Sequence, residues 1–494
     1  MSDLDDAVSA LLRRRRLGGW DADPAAFDPA DALGITTAVN ARTGADLRVS
    51  DAASAASVRD LVDLGRLLGS PAEAAARGRG GDAIPLSRTQ TRFLYAEQLA
   101  PGGHDNNVVL AFELAGRVDQ DALAAALHDV VDRHPVLRAA YTWDDELGPV
   151  RTPGPRPDLE VVAESSAEPA EAAVAATADW WDDGLDLETG PPLRTRLVPL
   201  GPSRSLLCLR VHHIAYDGRS ESVITTDLGA AYAARSAGQA PVWPPAAGYG
   251  DFVRWEQDMA ADWVARDLPY WQATLADPPP PLLPAHDLDD APRVEHGLRV
   301  PAEVVAGYTA AVRAAGAAPF SGLLHGVTRG LARAFDRDRL LLGTMSSGRF
   351  ERVFDRVVGP FVNPVAVPLA APGPDTGTWL RAATLSATKA LRHSRAPFDE
   401  VARLLGAAAP PLVEVFATLQ DPPVPAAFAE GVTIAPVLVP PPRTAMPLVV
   451  EAAPDHGGGW TLDAYARADA PTAAVLEQVL DEVARTIHSL SEKD

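Results

Sequence analysis

A single cysteine, Cys208, stands among 494 residues. That scarcity excludes an internal disulfide framework and fits a reducing, cytoplasmic setting. Cys208 lies inside the apolar run "SLLCLR" (205–210), where burial in packing is its expected role. No stretch approaches the roughly 18 uninterrupted apolar residues of a membrane span. The opening "MSDLDDAVSALLRRRRLGGW" begins acidic and lacks the basic-then-apolar order of a secretory signal. Positive charge is also in short supply: 44 Lys and Arg face 66 Asp and Glu, a formal net charge of −22. This excludes non-specific nucleic-acid binding, which depends on neutralising phosphates with basic side chains. Any acidic partner must dock on a local basic patch, against the overall field. The one dense basic run, Arg13 and the three arginines after it, stands near the end of an expected helix. Cations there suit the helix dipole and solvent, with a docking role as the alternative. No repeat occurs at solenoid or propeller periods.

What is present reads as a soluble globular chain, 47% hydrophobic and 22% charged, long enough for two or three domains. Residues 1–75 carry helical spacing in "DDAVSALLRRRR", "PADALGITTAVNAR" and "SVRDLVDLGRLL". The Gly-rich "GRGGDAIP" (78–85) marks a linker, set at 76–84. From residue 85 the pattern is mixed α/β. "VVLAFELAG", "VLRAAYTW" and "SLLCLRVH" read as strands. "VDQDALAAALHDVVDRHP" reads as a helix with Leu123, Leu127, Val130 and Val131 on one face, stopped by Pro135. A helix-rich stretch then leads to "DPPPPLLPAHDLDDAP" (277–292), a stiff connection between lobes expected at 85–276 and 277–494.

The chemistry concentrates in "VHHIAYDGRS" (211–220). An apolar strand delivers His212 and His213 to its end, and Gly218 is expected to permit a tight turn. Histidine takes and returns protons near neutrality. Asp217 cannot easily reach the His213 imidazole within so short a loop, so pairing with a cation is its expected role. Adjacent strand histidines point to opposite faces, which argues against a metal site. For an isolated pair, two inert hydrogen-bonded histidines remain the bland alternative.

The companions of this stretch decide between the two. HHxxxDG resembles the signature of nonribosomal peptide synthetase condensation domains and the acyltransferases that share their fold. "PLSRTQTRFLYAEQL" (85–99) resembles that family's opening motif, with Ser87, Gln90 and Arg92 in place. "RHPVLRAAY", "YGDFVRWEQ", "RHSRAPFDEV" and "PLVEVFATLQD" are similar to further family segments. "LLLGTMSSGRFERVFDRVVGPFVNPVAV" resembles the paired GTPxxGR and GxFxN segments, with Gly343, Thr344, Gly348, Arg349, Phe361 and Asn363 in register. The resemblance runs over roughly residues 83–490.

The resemblance implies two chloramphenicol acetyltransferase-like lobes forming a V with a central tunnel, after a small all-α domain. It implies acyl transfer from a carrier-bound phosphopantetheine thioester to an amine or hydroxyl. His213 is then the catalytic histidine, as general base or as positioner of the nucleophile. Asp217 is the structural acid paired with Arg349, Gly218 offers a backbone N–H to the oxyanion, and His212 supports the motif. Ser87, Gln90, Arg92, Ser347 and Asn363 are tunnel or motif candidates. No metal and no cofactor of the chain's own is implied; partner carrier proteins supply the phosphopantetheine arms. The late segment "TAMPLVV" has Met446-Pro447 where the family often has Asp-Leu, which blurs the subtype. The chain lacks the DxxxxD motif of heterocyclisation domains and the EGHGRE-like segment of epimerisation domains.

"TGADLRVSDAASAASVRDLV" (43–62) resembles the second half of a carrier protein. Counting back places Asp28-Pro29-Ala30 opposite the phosphopantetheine segment, with Pro29 where the attachment serine would stand. A first-turn proline keeps the helix and removes the hydroxyl. The expectation is a carrier-like domain that cannot be loaded, with an unrelated helical extension as the alternative. The chain is expected to act as a free-standing condensation enzyme. The alternatives are an acyltransferase using a free alcohol or amine, and a silent recruitment platform.

Overall fold

The computed structural model describes residues 3–15, 17–22, 35, 38–39, 43, 55, 57–69, 83–99, 102, 104–144, 148–282, 291–404, 413–420, 427–455 and 457–492. Asp28-Pro29-Ala30 and residues 76–82 of the expected linker lie outside them.

In chain order the first part comprises α1 (Asp3–Arg15), α2 (Val58–Gly69), β1 (Ile84–Pro85), α3 (Arg88–Leu99), β2 (Asn107–Ala115), α4 (Gln120–Arg133), β3 (Ala139–Asp144) and β4 (Gly148–Pro153). There follow β5 (Leu159–Val161), α5 (Pro169–Thr177), β6 (Leu193–Pro199), β7 (Arg204–His212), α6 (Gly218–Ser236) and α7 (Tyr249–Thr274). The second part comprises β8 (Ala291–Val300), α8 (Ala302–Ala314), α9 (Pro319–Phe335), β9 (Arg339–Ser346), β10 (Asn363–Ala370), α10 (Thr376–Arg392) and α11 (Phe398–Arg403). It closes with β11 (Val415–Leu419), β12 (Ala427–Ala429), β13 (Val432–Val437), β14 (Arg443–Thr444), β15 (Leu448–Pro454), β16 (Trp460–Arg467) and α12 (Leu476–Ser491).

Two main sheets organise the chain. One runs β12-β13-β2-β7-β6-β5, the other β10-β9-β11-β15-β16-β8-β14, and a small β1-β4-β3 sheet flanks the first. Strand β7 sits centrally and is buried on both faces from Ser205 to His212, which is why its middle, Leu206 to Leu209, is continuously apolar. Its Leu207, Leu209 and Val211 enter the core beneath α4 and α6. Leu206 and Cys208 enter the core beneath α5. Cys208 is buried and its thiol is pushed up to about 12 by that burial, in keeping with packing.

Helix α4 buries Leu123, Leu127, Val130 and Val131, the face its spacing predicts. Asp119 caps it by accepting the Ala122 N–H at 3.0 Å. Just past its end, His134 Nε2 stands 2.9 Å from Asp227 on α6, and Arg133 Nε donates to the same carboxylate at 2.8 Å. The "RHP" segment therefore locks α4 to the helix that follows the histidine motif.

The two sequence-order parts are not separate in space. The β12–β13 hairpin, from the second part, pairs antiparallel with β2 through Ile434↔Leu114 and Pro436↔Phe112. Phe354, Val357, Phe361 and Phe428 also enter the core of the first sheet. A strand pairing between segments so distant in the chain leaves no periodicity signal, so the chain-order reading does not anticipate it. Near the N-terminus, Leu4, Val8 and Leu12 of α1 share a small core with Val58, Leu61 and Val62 of α2. Among the described residues no helix is long and apolar enough to cross a membrane.

Candidate active site

Strand β7 ends at His212, and His213 opens a single 3₁₀ turn, His213–Ala215, rather than extending the strand. His212 is fully buried; its Nδ1 accepts the Ile214 N–H at 3.0 Å. Its proton therefore sits on Nε2, which donates to Glu97 at 3.2 Å. Burial works against the Glu97 carboxylate. The His212 bond and the Gly102 N–H together outweigh it and hold the group below the usual range.

His213 is only partly buried. Its Nδ1 lies 3.3 Å from the Tyr216 carbonyl, which can only accept, so the proton resides on Nδ1 and Nε2 keeps its lone pair. The ring stacks on Phe93 with centroids 5.5 Å apart and planes 7° from parallel, and tilts against Tyr216 at 6.1 Å. Burial lowers its pKa to about 4; the Tyr216 carbonyl opposes the shift, while the neighbouring His212 and Arg92 add to it. The imidazole is thus a neutral acceptor at pH 7.

Asp217 is saturated where His213 is open. Its carboxylate accepts the Ser220 N–H at 2.9 Å and the Ser220 hydroxyl at 2.7 Å, in a capping box that starts α6. It also accepts Arg349 Nη2 at 2.8 and 3.1 Å and the Phe361 N–H at 3.1 Å. Arg349 and Asp217 side chains are 3% and 1% exposed, so the pair is a buried one. Arg349 Nη1 donates to the Phe354 carbonyl at 2.5 Å and the Val357 carbonyl at 2.7 Å, and its carbon lies 4.0 Å over the Phe361 ring. Gly348 makes this approach feasible: with φ +65°, a Cβ there would fall 1.8 Å from the Phe361 oxygen.

Gly218 behaves differently from the expectation. Its φ lies outside the left-handed region and a Cβ would meet nothing within 4 Å, so the turn does not require glycine. Gly218 is exposed and begins α6, where first-turn N–H groups lack helical partners. What the glycine provides is open space beside that N–H.

The family model described as "Condensation domain" covers residues 81–491. This chain is a condensation domain. It is 32% identical over 291 residues to a probable non-canonical nonribosomal peptide synthetase of Salinispora arenicola, a match over 56% of this chain and 4% of that protein. It is 30% identical over 361 residues to an isonitrile lipopeptide synthase of Mycobacterium tuberculosis, covering 69% of this chain and 14% of that protein. The chain thus spans a small part of these curated relatives. The first condensation domain of the calcium-dependent antibiotic synthetase superposes with a TM-score of 0.73 at 22% identity, over 83% of this chain and 96% of that one. SgcC5 from Streptomyces globisporus superposes with a TM-score of 0.68 at 22% identity, over 82% and 98%. At these identities the superpositions speak to the fold, a mixed α/β architecture of the chloramphenicol acetyltransferase kind.

Within the condensation domain, the other sequence candidates fall into two groups. Ser87 and Gln90 are completely buried and cap α3 reciprocally, Gln90 N–H to Ser87 Oγ at 3.0 Å and Ser87 N–H to Gln90 Oε1 at 3.3 Å. Gln90 Nε2 also donates to the Ile214 carbonyl at 3.1 Å, tying α3 to the histidine turn. Asn363 donates to the Ser394 and Ala396 carbonyls, both at 2.9 Å, and accepts the Phe398 N–H at 3.1 Å. These three hold segments in place. Arg92 is partly exposed, 5.5 Å over the Phe93 ring, with burial lowering its guanidinium pKa. Ser347 is exposed just past β9. Sequence reasoning missed Phe93, Glu97, Ser220 and Tyr249. Tyr249 donates to the Pro360 carbonyl at 2.7 Å and meets Ser87 Oγ at 2.8 Å. Its place at the head of "YGDF" was the available signal, as was the three-residue spacing of Asp217 and Ser220.

Proposed function

We propose that this condensation domain joins an acyl or peptidyl group to an acceptor amine by direct attack on a thioester, with His213 as the residue that handles the proton. Nitrogen attacks the thioester carbonyl while its proton passes to the Nε2 lone pair. The carbonyl oxygen takes negative charge beside the Gly218 N–H, at the open start of α6. The C–S bond then breaks, the amide forms, and the departing thiolate takes up the proton. A neutral imidazole is the form this step requires, and the depressed His213 pKa keeps it so. The observation that carries the reading is the free Nε2, left open by the Nδ1–Tyr216 bond.

Donor thioesters come on phosphopantetheine arms of partner carrier proteins, and the acceptor is carrier-bound or free. We assign residues 85–276 and 277–494 to the two lobes, enclosing the tunnel in which the arms meet, and 1–75 to a carrier-like unit with Pro29 at the attachment position. The reaction takes place in the cytoplasm. Ester formation on a free hydroxyl is the second reading, favoured by the structural likeness to SgcC5, whose solved complex holds an aryl ethanediol. A silent platform role fits less well with an open His213 above a saturated Asp217–Arg349 pair.

The test is acyl transfer with mass-spectrometric product detection. Loaded donor carriers and amine or hydroxyl acceptors, carrier-bound or free, are offered to the native chain and to His213→Ala. Product from the native chain alone supports the reading, and its bond type separates amide from ester. Absence of product above the variant across a broad, properly loaded panel overturns it.

A further inference from the structure

The acidic chain carries a pocket of opposite sign, outside the site described above and unused by the proposed reaction. Helices α9 and α12 pack so closely that a Cβ on Gly326 would fall 2.4 Å from the Val483 Cα. This contact brings two polar stripes face to face. His325, Arg329 and Arg333 follow at i, i+4 and i+8 along α9, against Glu482, Arg485 and Ser489 at i, i+3 and i+7 along α12.

Glu482 is buried, and three arginines converge on it: Arg329 at 2.8 Å, Arg333 at 3.2 Å and Arg485 at 2.8 Å. One carboxylate cannot satisfy them. Three guanidiniums carry about fifteen N–H donors, against roughly four acceptor positions on a carboxylate. With Glu482 the one acid among the lining residues, its three arginines leave the lining with an excess of two positive charges. The groups enclose a cavity of about 170 Å³, with the Thr376 hydroxyl residue at the start of α10 completing the wall. That volume is nearly six times the roughly 30 Å³ share of one water in the liquid, room for a tetrahedral oxyanion with part of its hydration. The arginines are 42%, 55% and 65% exposed, so the pocket opens to solvent.

We propose that this pocket is a binding site for a phosphate dianion, inorganic or as a monoester. The excess of two positive charges in the lining matches a dianion, and planar guanidinium forks suit phosphate oxygens. On a chain of net charge −22, such a locus is where a phosphorylated ligand binds against the general field.

The test titrates the full chain at pH 8 and constant ionic strength with inorganic phosphate, methyl phosphate or chloride, read by calorimetry and thermal unfolding. Saturable binding of phosphate but not chloride is expected. Arg333→Gln should weaken it by about tenfold or more, as loss of a charged hydrogen bond does. Glu482→Gln should bind phosphate more tightly than the native chain even while it lowers Tm, because it removes the competing anion. A purely structural ion cluster gives no such gain. Methyl phosphate binding as well as inorganic phosphate identifies a monoester site, and inorganic phosphate alone a free-anion site. No saturable binding, or binding unchanged in both Arg333→Gln and Arg329→Gln, overturns the proposal. If Glu482→Gln does not fold, the half-exposed Arg333 decides the matter.

Discussion

His213 and Asp217 stand four residues apart in one loop and are treated in opposite ways. Asp217 receives hydrogen bonds from Ser220, Arg349 and Phe361 and is almost completely buried. His213 has one backbone anchor, a stacked Phe93 and an open Nε2. Under the proposed reaction, the loop separates the carboxylate that fixes the fold from the imidazole that exchanges a proton. A structural charge is kept in place by exhausting its hydrogen-bonding capacity, and a chemical group is kept available by leaving one position unspent.

The largest effect that would break this contrast comes from Asp217→Ala. It strands the Arg349 charge in a buried site, so a loss of about 3–5 kcal/mol is expected, measured by denaturant unfolding, with much of the chain insoluble. Arg349→Gln should do the same from the other side. His213→Ala should instead keep Tm within a degree or two while transfer falls by about 10²–10⁴-fold, the usual worth of general-base help; paired Tm and rate measurements separate the two behaviours. Gln90→Leu lies between them. It leaves the buried Ile214 carbonyl without its 3.1 Å donor, an expected cost of about 1–3 kcal/mol with a smaller drop in rate, since the histidine turn loses its tie to α3.

The effect that is smallest at pH 7, and that grows only in acid, is on pH dependence. Folded His213 titrates at about 4, below its unfolded value near 6.5. The folded state therefore resists protonation. Its contribution is whole above pH of about 6.5 and is lost as pH falls toward 4. A His213→Gln chain should lose that part of its acid sensitivity, measured by unfolding between pH 7 and 4.

Much of this loop was legible in the sequence. The apolar run, the histidine pair, and the acid that seeks a cation all have local signals, and the family resemblance supplied Arg349 as the partner of Asp217. The floor beneath His213 had no such signal. Phe93 and Glu97 sit more than a hundred residues away in the chain, and nothing in their local spacing says which ring or imidazole they meet. The tight turn expected at Gly218 is not there: a glycine after an acid resembles a turn requirement, whereas the space beside it is simply open. The crossing of β13 onto β2 and the convergence of Arg329, Arg333 and Arg485 on Glu482 are likewise products of packing between distant segments. Ser87, Gln90 and Asn363 were found by motif position, but only their hydrogen bonds distinguish holding a segment from lining a tunnel.

The measurement that bears most directly on the account is an NMR pH titration of the His213 imidazole in the full chain, assigned with His213→Gln. The account predicts a neutral ring protonated on Nδ1 down to a pH of about 4. Titration near 6.5 or above, or a proton found on Nε2, would contradict it.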